Sequence, residues 1–163
     1  GTLSFDECYE IFKEQVEAVV NAGTDLISIE TMSDIYEMKA CLLAIRDTTD
    51  IPVLAHMTFG ENLRTLNGTD PAAAVALLEA GGATVVGANC SLGPKELIKV
   101  VEKMAEVAQI PLVVQPNAGM PQMVGEKTIY PVTPEEMGQY TIALANAGAN
   151  IIEIGRASCR ERV

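Results

Sequence analysis

The sequence lacks tryptophan and is poor in aromatic and basic residues. Aromatic residues make up 4% of the 163 residues, and 11 Lys and Arg stand against 22 Asp and Glu, for a net charge of −11. Because nucleic acids and anionic membranes bind through clustered Lys and Arg, this composition argues against both as partners. The apolar runs are of strand length, whereas a membrane span needs about 20 residues. The sequence opens with acidic residues and no apolar signal segment, so we expect a cytoplasmic protein.

Common cofactor and disulfide signatures are missing too. The sequence contains no P-loop, GxGxxG, HExxH or CxxC motif. The four cysteines, Cys8, Cys41, Cys90 and Cys159, match no small secreted framework, and a chain of this length does not need one. We therefore expect reduced thiols, with Cys8 and Cys41 lying within helices.

What the sequence does contain is a repeated strand–helix unit. Near-continuous apolar runs, rather than alternating ones, are typical of strands that are buried on both faces. They occur at Leu26–Thr31, Val53–Thr58, Thr84–Cys90, Leu112–Asn117 and Asn150–Ile154. The regular array, with no domain break or low-complexity linker, predicts an α/β fold with a parallel sheet.

Helix starts between these runs carry capping signals. Ser4 and Glu7 form a capping-box pattern before a helix predicted over about residues 5–22. Asp70 and Thr133 each precede a proline, which suits the first helical position, and Glu136 completes a second capping box. These signals place helices between the strands.

Such an array can close in two ways. Five strands in 163 residues would complete an open doubly wound sheet. The eight-stranded barrel typically needs about 250 residues. Periodicity alone therefore favours the open sheet, and only the chemistry at the strand ends changes that preference.

In both folds, function resides at the carboxyl ends of the strands. Glu30 ends an apolar strand, and a carboxylate there either serves a ligand or pairs with a helix N-terminus or a buried arginine. His56, the one histidine, is by itself more typical of a hydrogen-bonded core residue than of a catalyst. Cys90 leads into a loop that opens a helix, so it is either an exposed thiol or a small buried apolar residue. Other polar residues at these ends are Thr31, Thr58, Asn89, Gln115 and Asn117.

Two of these strand ends carry recognisable motifs. The segments Gly87–Pro94 (GANCSLGP) and Gln115–Gly119 (QPNAG) together resemble the homocysteine-binding domain of methionine synthases and other homocysteine S-methyltransferases. Ile29–Thr31, Met57–Phe59 and Leu66–Pro71 fit the same family in the same order. The resemblance covers about residues 4–152. It is strongest to the N-terminal module of cobalamin-dependent methionine synthase.

The resemblance implies a parallel (β/α)8 TIM-type barrel, of which this chain would cover strands four to eight. It assigns Cys90 as the first of three cysteines that hold zinc, and Glu30 as the carboxylate that receives the amino group of homocysteine. Asn89 would support the substrate or the metal ligand. Three thiolates leave the fourth zinc position open for the homocysteine sulfur, which then takes a methyl group to give methionine. Cobalamin and methyltetrahydrofolate would act through methyl-donor domains elsewhere in the parent protein.

The end of the sequence departs from the family. The family places adjacent cysteines, the other two zinc ligands, after the last strand, where this chain has Gly155 and Arg156. Cys159 is a single cysteine in an arginine-rich tail that fits nothing before it. Read as codons, residues 153–163 match read-through of a widely used sequencing adapter. We therefore expect a partial homocysteine-binding barrel domain at 1–152, a non-native tail at 153–163, and a fragment that is inactive alone.

Two alternatives remain open at this point. Within the same class, the parent could be a stand-alone homocysteine S-methyltransferase or one fused to a folate reductase. In a different class, the chain could be a small-molecule-binding α/β module with a redox-active Cys90 and no metal. That last interpretation predicts a complete five-stranded sheet, but it leaves the paired motifs unexplained.

Overall fold

A computed structural model describes residues 2–153 of the chain. The five helices of this part are α1 Phe5–Asn21, α2 Ile35–Thr48, α3 Pro71–Ala80, α4 Pro94–Ala105 and α5 Pro134–Asn146. Its strands are β1 Ile27–Met32, β2 Val53–Met57, β3 Val85–Asn89, β4 Leu112–Gln115, β5 Gln122–Val124, β6 Lys127–Ile129 and β7 Ile151–Ile152. The proposed tail lies outside the described residues except for Glu153.

The predicted parallel sheet is confirmed, and its strand order is informative. The five-stranded sheet has the order β1-β2-β3-β4-β7, and each neighbouring pair is parallel. An open doubly wound sheet reverses its strand order at a switch point, whereas a barrel adds each strand beside the preceding one. The open sheet favoured by periodicity alone is therefore wrong. The order agrees with the barrel fragment that the motifs implied.

A short antiparallel hairpin, β5–β6, interrupts the strand–helix alternation and was not predicted. Its strands are three residues each and exposed, so they leave no apolar run in the sequence. Val124 pairs with Lys127 across a two-residue turn that starts at Gly125, where φ is 61°. A positive φ at the first turn position is the requirement of type II′ hairpins, and glycine meets it without strain. The hairpin is inserted between β4 and α5.

The predicted helix caps are present. Ser4 Oγ accepts a hydrogen bond from the Glu7 backbone N–H at 3.3 Å, and the Ser4 N–H donates to the Glu7 carboxylate at 2.8 Å. Thr133 and Glu136 form the same reciprocal arrangement before α5. Asp70 caps α3, which begins at Pro71. These local signals fix where each helix enters the array.

The helices cover one face of the sheet and form the core with it. Strand residues on this face include Ile29, Ala55, Met57, Val86, Ala88, Leu112 and Val114, all buried. Because side chains alternate along a strand, the residues between them point to the opposite side, which we call the inner face. It carries Ser28, Glu30, Leu54, His56, Gly87, Asn89, Val113 and Gln115. In a closed barrel this would be the interior.

Gly87 shows how closely the central strands approach at the inner face. A Cβ atom at this position would overlap the carbonyl oxygen of Val113 in the neighbouring strand β4. Glycine is therefore required there by space, because Val113 fills the volume that a side chain would need. No helix in the described part of the chain is long and apolar enough to cross a membrane.

Candidate functional site

Asn89, at the end of β3, joins the ends of two strands that do not pair with each other. Its side-chain oxygen accepts from the Thr31 backbone N–H at 2.9 Å, and its Nδ2 donates to Thr31 Oγ1 at 3.0 Å. Thr58, just after β2, donates its hydroxyl to the Asn89 backbone carbonyl oxygen at 3.1 Å and lies 3.3 Å from the Asn89 side-chain oxygen. Asn89 is fully buried, so these bonds also satisfy its polar atoms. One amide thereby fixes the carboxyl ends of β1, β2 and β3 relative to one another.

Cys90 is held by the same group. Its Sγ lies 3.5 Å from Asn89 Nδ2 and 3.6 Å from Thr31 Oγ1. The Asn89 amide has two N–H groups, so it can donate to Thr31 and to the sulfur together. The Thr31 hydroxyl accepts from Asn89 and keeps its own proton for the sulfur. Cys90 is half-buried rather than fully buried, so the small apolar alternative does not describe it.

The backbone at this site is strained. Among the described residues, four non-glycine residues have positive φ, and three of them are Thr31 at 64°, Cys90 at 56° and Ser91 at 55°. Such conformations are unusual outside glycine, and a β-branched residue such as threonine adopts them least readily. They persist where surrounding contacts over-determine the backbone, and they cluster at functional sites. The strained residues lie in two turns, one after β1 at Thr31 and one after β3 at Cys90 and Ser91, and these turns meet at Cys90.

Glu30 lies on the inner face, one residue before Thr31. Its side chain is exposed, and Ser28 Oγ donates to its Oε1 at 3.2 Å. Among residues 2–153 the carboxylate makes no ion pair, and it caps no helix. Within residues 2–153, neither structural alternative for Glu30, a buried arginine or a helix N-terminus, is observed.

His56 is buried on the inner face. Its Nδ1 lies 2.9 Å from the Ile29 carbonyl oxygen, which can only accept, so Nδ1 carries the proton. Burial lowers the pKa of this imidazole, and the Ile29 carbonyl, Glu30 and Glu153 oppose that effect in part. The expected hydrogen-bonded core histidine is what the structure shows at Nδ1. The other ring nitrogen, Nε2, is buried and has no hydrogen-bond partner among residues 2–153.

The other cysteines within the described residues lie away from this site. Cys41 is buried in α2, and burial raises the pKa of its thiol to about 12. Cys8 lies on α1, where desolvation also raises its pKa. Both lie within helices, as predicted. Cys159 lies outside the described residues.

Comparison with known proteins identifies the family. The family model of homocysteine S-methyltransferases matches residues 1–155. The chain belongs to the homocysteine S-methyltransferase family. Methionine synthases of Mycobacterium leprae and Mycobacterium tuberculosis are 30% and 31% identical to it over 144 residues. These matches cover 85% of this chain but only 12% of each methionine synthase, so the chain spans a small part of these relatives.

Solved structures agree on the fold. The apo form of the homocysteine methyltransferase MmuM from Escherichia coli superposes with a TM-score of 0.76 at 22% identity, covering 96% of this chain and 54% of that one. The carboxyl transferase domain of Rhizobium etli pyruvate carboxylase gives a TM-score of 0.60 at 15% identity. At these identities the likeness concerns the fold alone. The share of MmuM that is covered agrees with a chain that holds part of a barrel.

For a homocysteine S-methyltransferase domain, the described residues hold part of the expected metal chemistry. Cys90 offers a soft thiol ligand of the kind zinc prefers, already oriented by two donors. Residues 2–153 contain no group of three His, Cys, Asp or Glu side chains that could enclose a metal ion. The positions where the family has its paired cysteines lie outside these residues. Cys90 therefore fits as one zinc ligand, and the described residues do not complete a metal site around it.

The structure brings some predicted residues together and adds one. Asn89 and Cys90 are in contact, and Glu30 directly precedes Thr31, which contacts both of them. Thr31 was noted only as a polar residue at a strand end, yet it contacts both Asn89 and Cys90. No sequence pattern marks a threonine with positive φ, because the contact comes from a residue 58 positions away.

Proposed function

We propose that this chain is the homocysteine-binding part of a zinc-dependent methyltransferase that converts homocysteine to methionine. The observation that carries the proposal is the thiol of Cys90, fixed at the open end of the sheet by Asn89 and Thr31. The family membership and the likeness to methionine synthases support it. The redox-module alternative has no comparable support.

Each residue has a role in this proposal. Cys90 is one zinc ligand, and Asn89 and Thr31 orient its sulfur without occupying the open side. Zinc, when bound, holds the homocysteine sulfur as a thiolate, the form that attacks a methyl group. Glu30, which is exposed and makes no ion pair with the described residues, receives the ammonium group of homocysteine and so fixes the amino acid relative to the sulfur. A carboxylate and an ammonium group form the charge-assisted hydrogen bond that such recognition needs.

The remaining parts belong to the parent protein. We propose that residues 1–152 are the domain segment and that 153–163 are not native, so that two further cysteine ligands follow residue 152 in the intact gene. The likeness to methionine synthases favours a cobalamin-dependent parent in the cytoplasm, with methyltetrahydrofolate as methyl source on separate domains. Sequencing the locus past codon 152 with long reads tests this: a genuine Arg-Ala-Ser-Cys-Arg-Glu-Arg-Val end would contradict it.

The metal assignment has its own test on the complete parent protein. Cys90→Ser should abolish stoichiometric zinc, because an alcohol is a far weaker ligand for this metal than a thiolate. Cys41→Ala is the matched control, since Cys41 is buried in α2 away from the site and should leave the zinc content unchanged. Zinc per chain is measured by elemental analysis after dialysis. Full zinc occupancy in Cys90→Ser would refute the proposal.

A further inference from the structure

The end of β1 contains an irregularity that brings Thr31 to Cys90. Three steps along β1, from Ile29 to Met32, match only two steps along the neighbouring strand β2. The extra residue makes a β-bulge, a feature that re-aims side chains and is frequent beside active sites. At this bulge Thr31 has a φ of 64°, and its backbone N–H donates to the Asn89 side-chain oxygen at 2.9 Å. The bulge is thereby tied to β3, and the Thr31 hydroxyl contacts the Cys90 sulfur.

Every side-chain donor proton of Thr31 and Asn89 is used within this group. The Thr31 hydroxyl donates to Cys90 Sγ at 3.6 Å. Asn89 Nδ2 donates to Thr31 Oγ1 at 3.0 Å and to the sulfur at 3.5 Å. Because an amide has two N–H groups and a hydroxyl has one proton, these three bonds leave none over. A second sulfur that approached the site would therefore receive no hydrogen bond from these two side chains.

Two thiolates would compete for the same methyl group at a zinc site of this kind. A thiol that coordinates zinc is deprotonated, so the Cys90 sulfur and the substrate sulfur would both be thiolates. Cys90 is half-buried rather than enclosed, so a small electrophile can reach it. Methylation of Cys90 would convert its thiolate, the form that binds metal, into a neutral thioether. A methyltransferase built on thiolate ligands therefore needs a means of telling the two sulfurs apart.

We propose that the Thr31 hydroxyl and the Asn89 amide protect Cys90 from methylation, because their two hydrogen bonds make its sulfur a weaker nucleophile. This inference rests on the proposed function and makes Thr31 a positioning residue that acts through Cys90. Hydrogen bonds to a thiolate stabilise its charge and lower its basicity, and the nucleophilicity of sulfur falls with its basicity. The substrate sulfur, which does not receive these bonds, stays the more reactive of the two.

The test measures methylation of Cys90 by iodomethane in the complete, zinc-loaded parent protein without substrate. The Cys90 sulfur forms a bond to the methyl carbon as the carbon–iodine bond breaks, and iodide leaves with the electron pair. Peptide mass spectrometry follows the gain of one methyl group at Cys90 over time. Methylation of Cys8, which lies on α1 away from the site, is the internal reference. Because a zinc-bound sulfur stays a thiolate throughout, the rate reports nucleophilicity rather than protonation.

Thr31→Val removes one of the two donors and should raise the rate at Cys90 about three- to eightfold. One hydrogen bond to a charged group changes the basicity of the thiolate about ten- to a hundredfold, and the rate follows basicity with an exponent of about 0.4–0.5. Thr31→Ser keeps the hydroxyl and should react at the rate of the unmodified protein. Thr141→Val, which loses a hydroxyl that bonds only within α5, should also leave the rate unchanged.

The outcomes separate this inference from the proposed function. Equal rates in Thr31→Val and the unmodified protein, an equal rise in Thr31→Ser, or a rise shared by Cys8 would overturn the inference. If Thr31→Val retains no zinc, Thr31→Ala decides, because it lacks the same hydroxyl and has no branched side chain at the positive φ. An unmodified protein that binds no zinc would instead overturn the proposed function itself.

Discussion

The two faces of the five-stranded sheet are built from alternate residues of the same strands, yet they are organised differently. The helix-facing side is apolar and closely packed, as Met57 and Val114 illustrate with no exposed surface. The inner face carries Glu30, His56 and Gln115, with exposed or unsatisfied polar atoms. One face supplies the free energy of folding, and the other is left incomplete for a ligand and for the rest of a barrel.

The largest expected effect is a difference between the two faces in how much a substitution lowers the free energy of unfolding. Met57→Ala should lower the free energy of unfolding by about 2–5 kcal/mol, because it leaves a cavity in the core between the sheet and the helices. Ser28→Ala, at an exposed position of the inner face, should change it by less than about 0.5 kcal/mol. Urea unfolding followed by circular dichroism measures both. Equal losses would show that the inner face also carries stability, against the comparison above.

The same contrast explains how much of the fold the sequence could predict. Apolar runs predicted the strands of the sheet, and capping residues such as Ser4 with Glu7 predicted where the helices begin. Both signals could be read because they depend on residues that are close in sequence. The spacing of the apolar runs does not determine the order of the strands in the sheet. Periodicity alone therefore favoured an open sheet, and only the motifs indicated a barrel. The β5–β6 hairpin escaped prediction because its exposed three-residue strands leave no pattern.

The site was predictable at single residues but not in its contacts. Asn89 and Cys90 follow from a motif within one strand and its loop, whereas the contact of Asn89 with Thr31 joins residues 58 positions apart. Among the described residues, the buried atoms of His56 and Gln115 that lack a hydrogen-bond partner depend on which side chains each residue meets across the sheet. Such features arise from packing between strands, which a single sequence does not display.

A smaller effect tests whether the strained turns at the site are held by side-chain contacts. Thr31→Val keeps the β-branched shape and hence the backbone strain, but it removes the hydroxyl that contacts Asn89 and Cys90. We expect a loss of about 1–3 kcal/mol, because a buried N–H group of Asn89 loses its acceptor. Thr141→Val is the control, because that hydroxyl only bonds the Met137 carbonyl within α5. Thermal unfolding of both variants would contradict the expectation if Thr141→Val lost as much as Thr31→Val.

The smallest effect is a dependence of stability on pH that originates at the inner face. The folded-state pKa of His56 is lowered from its usual 6.5, mainly by burial, with the Ile29 carbonyl, Glu30 and Glu153 opposing the shift. The unfolded chain therefore binds the proton more readily, so this stabilisation is complete above 6.5 and is lost as pH falls from there through the folded-state pKa.

Urea unfolding at about pH 7.5 and about pH 5.5 measures this dependence. The capping-box carboxylates of Glu7 and Glu136 have pKa values lowered from 4.5, so their contribution to stability is lost only at more acidic pH. His56→Gln removes the titrating group and should flatten the dependence between these two pH values. If the free energy of unfolding of His56→Gln changes as much between these pH values as that of the unmodified protein, other groups cause the dependence. The inner face would then not be its origin.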